Sequence, residues 1–263
     1  MANAESRGPR FGDQGKVLRT LITGASGDIG RSLVTVFKSH GHKVFATDKV
    51  PRPEDLEADH YAELDLTTFT KASPEERRKI VSVLLAGEES LGLNALINNA
   101  AIQVCAPTEE LDLAGWERTL SVNVLAPFFL VQSLLPNLEK ASGAVVNISS
   151  IHARLTKPEF VAYATTKSAM SGLTRALAVD LANRVRVNAV EPSAVDTRML
   201  KASFEDSDSN LSDLASHHPQ LRIAAPKEVA SLVYAIASDE FRFLHGACVD
   251  ISGAISARLH DPA

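Results

Sequence analysis

A short apolar run at 17–23 opens directly into glycines at 24, 27 and 30 and then into a helical pattern at 29–40, and nothing else constrains this chain as strongly. A strand that must turn at once into a helix needs a residue without a Cβ in the turn. Gly24 suits that tight turn. Gly27 suits the close approach of a backbone to a pyrophosphate, and Gly30 the packing of helix on strand, with the helix N-terminus facing the phosphates. A ligand-free strand–turn–helix would also account for three glycines, so the rest of the chain has to decide.

The remaining segments alternate in the same manner. A strand at 43–47 delivers Asp48, 18 residues beyond Gly30, close to the distance at which an acidic residue reaches the adenosine ribose hydroxyls. A polar, Pro-rich loop at 51–60 leads to a short strand ending at Leu64-Asp65-Leu66. Ser73-Pro74-Glu75-Glu76 starts a helix over 73–85, with Ser as N-cap, Pro in the first position and carboxylates in the first turn. Then follow a strand at 94–97 ending in Asn98-Asn99-Ala100-Ala101, a long helix at 113–140 and a β-branched strand at 145–148 ending at Ser149-Ser150. A helix at 159–181, a strand at 184–190 closed by Pro192, a helix at 226–237 and a strand at 247–251 complete the chain. With 263 residues, 45% of them hydrophobic, the alternation predicts one doubly wound α/β domain: a parallel sheet with helices on both faces.

One helix carries distinctive chemistry. Tyr163 and Lys167 lie one turn apart on the 159–181 helix, so their side chains share a face. A phenol ordinarily titrates near pH ~10, and a neighbouring ammonium would stabilise its phenolate and make it a usable general acid/base. Ser150, at the preceding strand end, could offer its hydroxyl to a reacting oxygen. Asn123, between Val122 and Val124, is an amide in apolar surroundings that demands partners.

Taken together, TGASGDIG at 23–30, Asp48, Asp65, NNAA at 98–101, Asn123, Ser150, YATTK at 163–167 and PSAVDT at 192–197 resemble the short-chain dehydrogenase/reductase family, over essentially everything from Val17 onward. The resemblance implies a Rossmann domain that binds NAD, NADP being disfavoured by Asp48, and interconverts a secondary alcohol and a ketone by hydride transfer. It implies Ser150, Tyr163 and Lys167 as catalytic residues, with Asn123 bending its helix and holding a proton-relay water. Cofactor contacts would come from Gly24, Ser26, Gly27, Ile29, Gly30, Asp48, Asp65, Leu66, Asn99, Ala100, Tyr163, Lys167, Pro192, Val195 and Thr197. Asp65 would touch the adenine amino group, and the backbone of Val195 and Thr197 the nicotinamide carboxamide. Three positions depart from the family. Asp28 stands where members of this length usually have the second glycine, Ala101 replaces the Gly that closes NNAG, and Ser193 replaces the Gly after Pro192. The 24/27/30 spacing is that of the longer, sugar-nucleotide-modifying branch, so an epimerase or dehydratase is one rival reading. A non-catalytic dinucleotide-binding sensor is the other.

A net charge of −5 without a long basic run argues against nucleic acid as a partner. Two cysteines, Cys105 and Cys248, lack metal-ligand spacing and are too few for a disulfide framework, so we expect reduced thiols, no metal and a cytoplasmic location. No apolar run reaches the ~18 residues of a membrane span. Residues 1–16 read as a flexible tail. Polar, weakly periodic residues around 198–222 read either as a substrate lid or as a solvent loop. Gln103, His152 and Arg154 follow two strand ends and could line a pocket for a polar or anionic substrate. Val124, Leu125, Phe128, Phe129, Leu130 and Val131 crowd more than one face of their helix, which predicts a homo-oligomer, a dimer or tetramer by resemblance.

Overall fold

Because successive residues of a strand point to opposite faces, strands that are apolar at every position must be covered on both sides. The computed structural model, which describes residues 17–202, 204 and 211–259, has this arrangement. The expected tail at 1–16 lies outside the described residues. Seven strands form one parallel sheet: β1 Arg19–Thr23, β2 Lys43–Asp48, β3 His60–Glu63, β4 Ala95–Asn98, β5 Ala144–Ile148, β6 Arg186–Pro192 and β7 Cys248–Ile251, in the order β3-β2-β1-β4-β5-β6-β7. Strand order reverses between β1 and β4, where Thr20 pairs with Ala95 and Leu21 with Leu96. The crevice beyond the carboxyl ends of these strands is where such sheets bind ligands.

Side chains sort by parity into two cores. Leu21, Phe45, Leu96, Val145 and Val187 enter one with Leu130 and Leu134, while Ile22, Val44, Ala46, Ile97, Val146 and Val190 enter the other with Leu33, Phe37 and Val233. The first layer is roofed by helices α3 Pro74–Leu84, α5 Ala126–Ala141 and α6 Val161–Leu181, the second by α1 Asp28–Ser39 and α9 Pro226–Ala237. The start of α3 is a complete capping box: Glu76 N donates to Ser73 Oγ, and Ser73 N donates to the Glu76 carboxylate.

Three elements differ from the sequence reading. The third strand ends at Glu63, and Asp65 instead caps a short helix, α2 Leu66–Lys71, because its Oδ1 accepts from Thr67 N at 2.8 Å. The long helix is interrupted: α4 Leu113–Leu120 and α5 flank a π-helical turn, Ser121–Leu125, that contains Asn123. The interval after β6 holds two further helices, α7 Arg198–Ala202 and α8 Leu211–His217, whereas residues 203 and 205–210 lie outside those described. The rod Leu113–Ala141 is 29 residues long and apolar enough to cross a membrane by composition, yet it packs along the sheet. Leu130 and Val131 are buried in its own core, and Phe128 and Phe129 pack against that core. Of the crowded run, Leu125 is the side chain left exposed.

Candidate active site

The carboxyl ends of β1, β4 and β5 are stitched together by the side chains of Thr23, Asn98, Asn99 and Asn147. Asn99 Nδ2 donates to the carbonyls of Thr23 and Gly24 at 3.0 and 2.9 Å, while Asn99 N and Ala100 N both donate to Thr23 Oγ1. One strand further, Asn98 Nδ2 donates to Asn147 Oδ1 and Asn147 Nδ2 to Thr174 Oγ1 of α6. Ala101 has no positive φ, so the family's glycine is not needed there for conformation.

The three loop glycines are not equivalent. Gly24 has φ +65°, and a Cβ there would lie 2.7 Å from Ala100 Cα; a Cβ on Gly30 would lie 2.1 Å from the Gly24 carbonyl oxygen. Both are dictated by the protein's own packing. Gly27, the N-cap of α1, has φ −72°, and a Cβ would meet only Gly24 O at 3.5 Å, an ordinary contact. Space over Gly27 is what a pyrophosphate at the α1 N-terminus requires, so the loop fits the phosphates of a dinucleotide. Ile29 packs against the second core from the first turn of α1. Asp48 ends β2 with its carboxylate on this loop: Ser26 N donates to Oδ2 at 3.0 Å and Lys49 N to Oδ1 at 2.7 Å. Tyr61, which the sequence reading passed over, joins them through a hydroxyl–hydroxyl contact with Ser26 Oγ at 3.1 Å. Asp65 is exposed at its cap position, and Leu66 is buried beneath it in the first core.

Beyond the end of β5, Ser150 N-caps a single 3-10 turn, Ile151–Ala153; its Oγ accepts from His152 N at 3.2 Å, and Ser150 lies near enough to the Tyr163 phenol to lower its pKa. Tyr163 and Lys167 occupy successive turns of α6, both buried. Lys167 Nζ donates to Ile148 O at 2.8 Å and lies 5.5 Å from the centroid of the Tyr163 ring. Burial pushes the Tyr163 phenol up to about 12, against a lowering from Ser150, and pulls Lys167 down to about 8. The lowering of the phenol expected from its neighbouring ammonium is therefore not what sets its pKa in this structure: burial raises it, and the ammonium is aimed at a strand-end carbonyl. Asn123 is saturated on one side by backbone: its Oδ1 accepts from Ile102 N, and its Nδ2 donates to Ile102 O at 2.9 Å and to Thr166 Oγ1 at 3.0 Å. The π turn thus fastens the loop after β4 to the helix that carries Tyr163.

After β6, Pro192 pairs with Ile251, Val195 bridges to Ala224, and Thr197 Oγ1 accepts from Leu200 N at the start of α7. Ser193 Oγ is 3.2 Å from His218 Nε2 of the buried His218 ring. Ser193, His218, Gln220 and Arg222 line a small cavity that includes none of Ser150, Tyr163 or Lys167, so it is not where their chemistry would occur.

The expected substrate-facing residues separate. His152 stacks on Phe160 with centroids 4.6 Å apart and meets Tyr163 edge-on at 5.7 Å; burial, then the charges of Lys157 and Lys167, pull its pKa down to about 4, so the ring is neutral at pH 7. Gln103 Nε2 donates to Cys105 Sγ at 3.3 Å, and Cys105 lies near enough to raise the Tyr163 pKa slightly. Arg154 does not offer the free positive charge expected of it. Its Nε donates to the buried Glu191 at 2.8 Å and its Nη2 to Asp250, while Glu191 also accepts from Ser171 Oγ. The sequence could not pair Arg154 with partners 37 and 96 positions away.

A sheet reversing at β1/β4, a glycine turn open over Gly27, and an acidic residue at the end of β2 define a dinucleotide-binding α/β protein. The short chain dehydrogenase family profile matches residues 19–208. This chain belongs to that family and is an oxidoreductase of it. It is 32% identical to protein FixR of Bradyrhizobium diazoefficiens, over 92% of this chain and 87% of that one. It is 32% identical to cyclopentanol dehydrogenase of a Comamonas species, over 90% and 96%. The ligand-free aldohexose dehydrogenase of Thermoplasma acidophilum superposes with a TM-score of 0.85 at 29% identity, covering 94% of this chain and 97% of that one.

Proposed function

We propose that the protein interconverts a secondary alcohol and a ketone with NAD(H), using Ser150, Tyr163 and Lys167. The observation that carries this is the convergence of three side chains at the carboxyl end of β5: Ser150 near enough to the Tyr163 phenol to lower its pKa, and Lys167 Nζ 5.5 Å from the Tyr163 ring centroid and bonded to the Ile148 carbonyl. Bound nicotinamide would accept or deliver the hydride. In oxidation, the alcohol proton passes to the Tyr163 oxygen as the carbinol C–H bond gives up its hydride; in reduction, Tyr163 returns that proton to the nascent alkoxide. Ser150 Oγ holds the substrate oxygen beside the phenol. Lys167, an ammonium below about pH 8, would reach the nicotinamide ribose, and its charge would have to favour the phenolate against the burial that raises the Tyr163 pKa to about 12. Asn123 fixes the loop at Ile102 and would position a relay water.

A neutral substrate fits best, because the ring of His152 is uncharged and packed on Phe160 and Tyr163, and Arg154 is neutralised by two carboxylates. The cyclopentanol dehydrogenase named above acts on such an alcohol. Leu113, Leu125, Val161 and Val179, exposed on α4, the π turn and α6, supply the surface for pairing with a second copy. The decisive experiment follows nicotinamide absorbance with purified protein, NAD or NADH, and a panel of cyclic, linear and carboxylated alcohols and ketones. We expect turnover of neutral secondary alcohols, and a kcat at least ~10²-fold lower in Tyr163→Phe with cofactor affinity near wild type. Near-full turnover by Tyr163→Phe would refute the assignment.

A further inference from the structure

Asp28 puts a carboxylate on the first residue of α1, at the helix end that would draw a dinucleotide's phosphates. A carboxylate in a first turn stabilises a helix through the same dipole that attracts phosphate, so the two compete for one place and repel one another. The structure answers that conflict with a residue 170 positions away. Arg198, the first residue of α7, donates its backbone N–H to Asp28 Oδ2 at 2.7 Å and its Nε to Oδ1 at 3.1 Å, while its Nη2 donates to the Ser26 carbonyl at 2.8 Å. Arg31 also reaches the Ser26 carbonyl through Nε, but its Nη1 is paired with Asp55. Arg198 is therefore the cation on Asp28.

The Arg198 side chain is 68% exposed. The Asp28 side chain is 26% exposed, so the pair is open on its cationic side, where loss of the guanidinium costs little folding stability and its effect has to be sought in what binds beside it. We propose that Arg198 is a positioning residue for the dinucleotide: it neutralises Asp28 and holds that carboxylate toward α7, leaving the N-terminus of α1 over Gly27 to the diphosphate. This rests on the reading of the protein as a dinucleotide-dependent oxidoreductase.

Calorimetric titration with NADH, and with ADP-ribose as a probe lacking the nicotinamide, tests it on the wild type, Arg198→Gln, Arg198→Lys, Asp28→Gly and the Asp28→Gly/Arg198→Gln double variant. Arg198→Gln should bind both probes at least about tenfold more weakly at low ionic strength, a loss that shrinks in ~0.5 M salt because one uncompensated charge causes it. Arg198→Lys should keep most of the affinity, and the double variant should return to within about threefold of wild type. Thermal midpoints without ligand should be unchanged in Arg198→Gln and Arg198→Lys, whose side chain is exposed, and modestly lowered in both variants that carry Asp28→Gly, which lose a first-turn carboxylate. Wild-type affinity in Arg198→Gln would overturn the proposal. So would a double variant as weak as Arg198→Gln, which would put the guanidinium on the phosphate itself. Failure of the wild type to bind either probe would instead remove the dinucleotide reading on which the proposal stands.

Discussion

At Asp48 one carboxylate ties the glycine loop to β2, through Ser26 N and Lys49 N, and each of its oxygens keeps a lone pair for a ribose hydroxyl. A 2′-phosphate in that place would set like charges roughly 4 Å apart, a repulsion on the order of 4 kcal/mol at an effective dielectric of ~20. Two nearby cations could offset it. Arg52 is turned back on its own loop, where its Nη2 donates to the carbonyls of Leu56 and Ala58, which leaves Lys49. We therefore expect kcat/KM to favour NAD over NADP by at least ~30-fold, about 2 kcal/mol after discounting for solvent. Asp48→Ser should remove most of that preference and also weaken NAD, because the Ser26 amide loses its acceptor. Equal use of both cofactors by the wild type would show that Asp48 does not face the ribose.

The strand–glycine–helix unit makes a prediction that separates fold from binding. In Gly30→Ala the new Cβ would sit 2.1 Å from the backbone oxygen of Gly24, so the junction of β1 and α1 must shift, at a cost above ~2 kcal/mol that a lowered thermal midpoint would report. Gly27→Ala meets only an ordinary contact and should change stability by less than ~1 kcal/mol, yet weaken NADH at least ~10-fold because the methyl takes the space a pyrophosphate needs. Normal NADH affinity in Gly27→Ala would mean that the phosphates lie elsewhere. Elements such as this one were legible because their signals are local: β-branched runs, glycine spacing, and the capping box at Ser73-Glu76 all act within a few residues. Helix α2 escaped because Thr67, Thr68, Phe69 and Thr70 favour strand by composition, although Asp65 followed two residues later by Thr67 is a cap that could have revealed it. The π turn at Asn123 has no local signature; it is set by the backbone of Ile102 and by Thr166, 21 and 43 positions away. The Arg154–Glu191 and Arg198–Asp28 pairs were illegible for the same reason. Only the folded sheet brings those partners together.

Across the whole molecule acid tests burial at two histidines, His42 beside the second core layer and His152 beside Tyr163. His42 accepts or donates through Nδ1 to Thr20 Oγ1 at 2.7 Å, packs edge-on to Phe37 and Tyr234, and has its pKa pulled down to about 4 by burial and then by His40; His152 is pulled to about the same value beside Tyr163. Both folded values are below the ordinary 6.5, so between about pH 6.5 and 4 the unfolded chain binds more protons than the folded one, and stability falls as pH falls. The carboxylates held low by partners, such as Glu228 beside Arg222, act in the same direction but only below their own ordinary range near 4.5. The window from pH 6.5 to 4.5 therefore belongs to the histidines. Full transfer of both is worth on the order of 3 kcal/mol for buried His42 and less for half-buried His152. Denaturant midpoints taken every half pH unit should decline through that window in the wild type. His42→Gln, which keeps a hydrogen-bonding group near Thr20 but does not titrate, should show a distinctly shallower decline from its own starting stability. Parallel declines in the two proteins would mean that His42 charges in the folded state as readily as in the unfolded one, and that its burial between α1 and α9 does not exclude a proton.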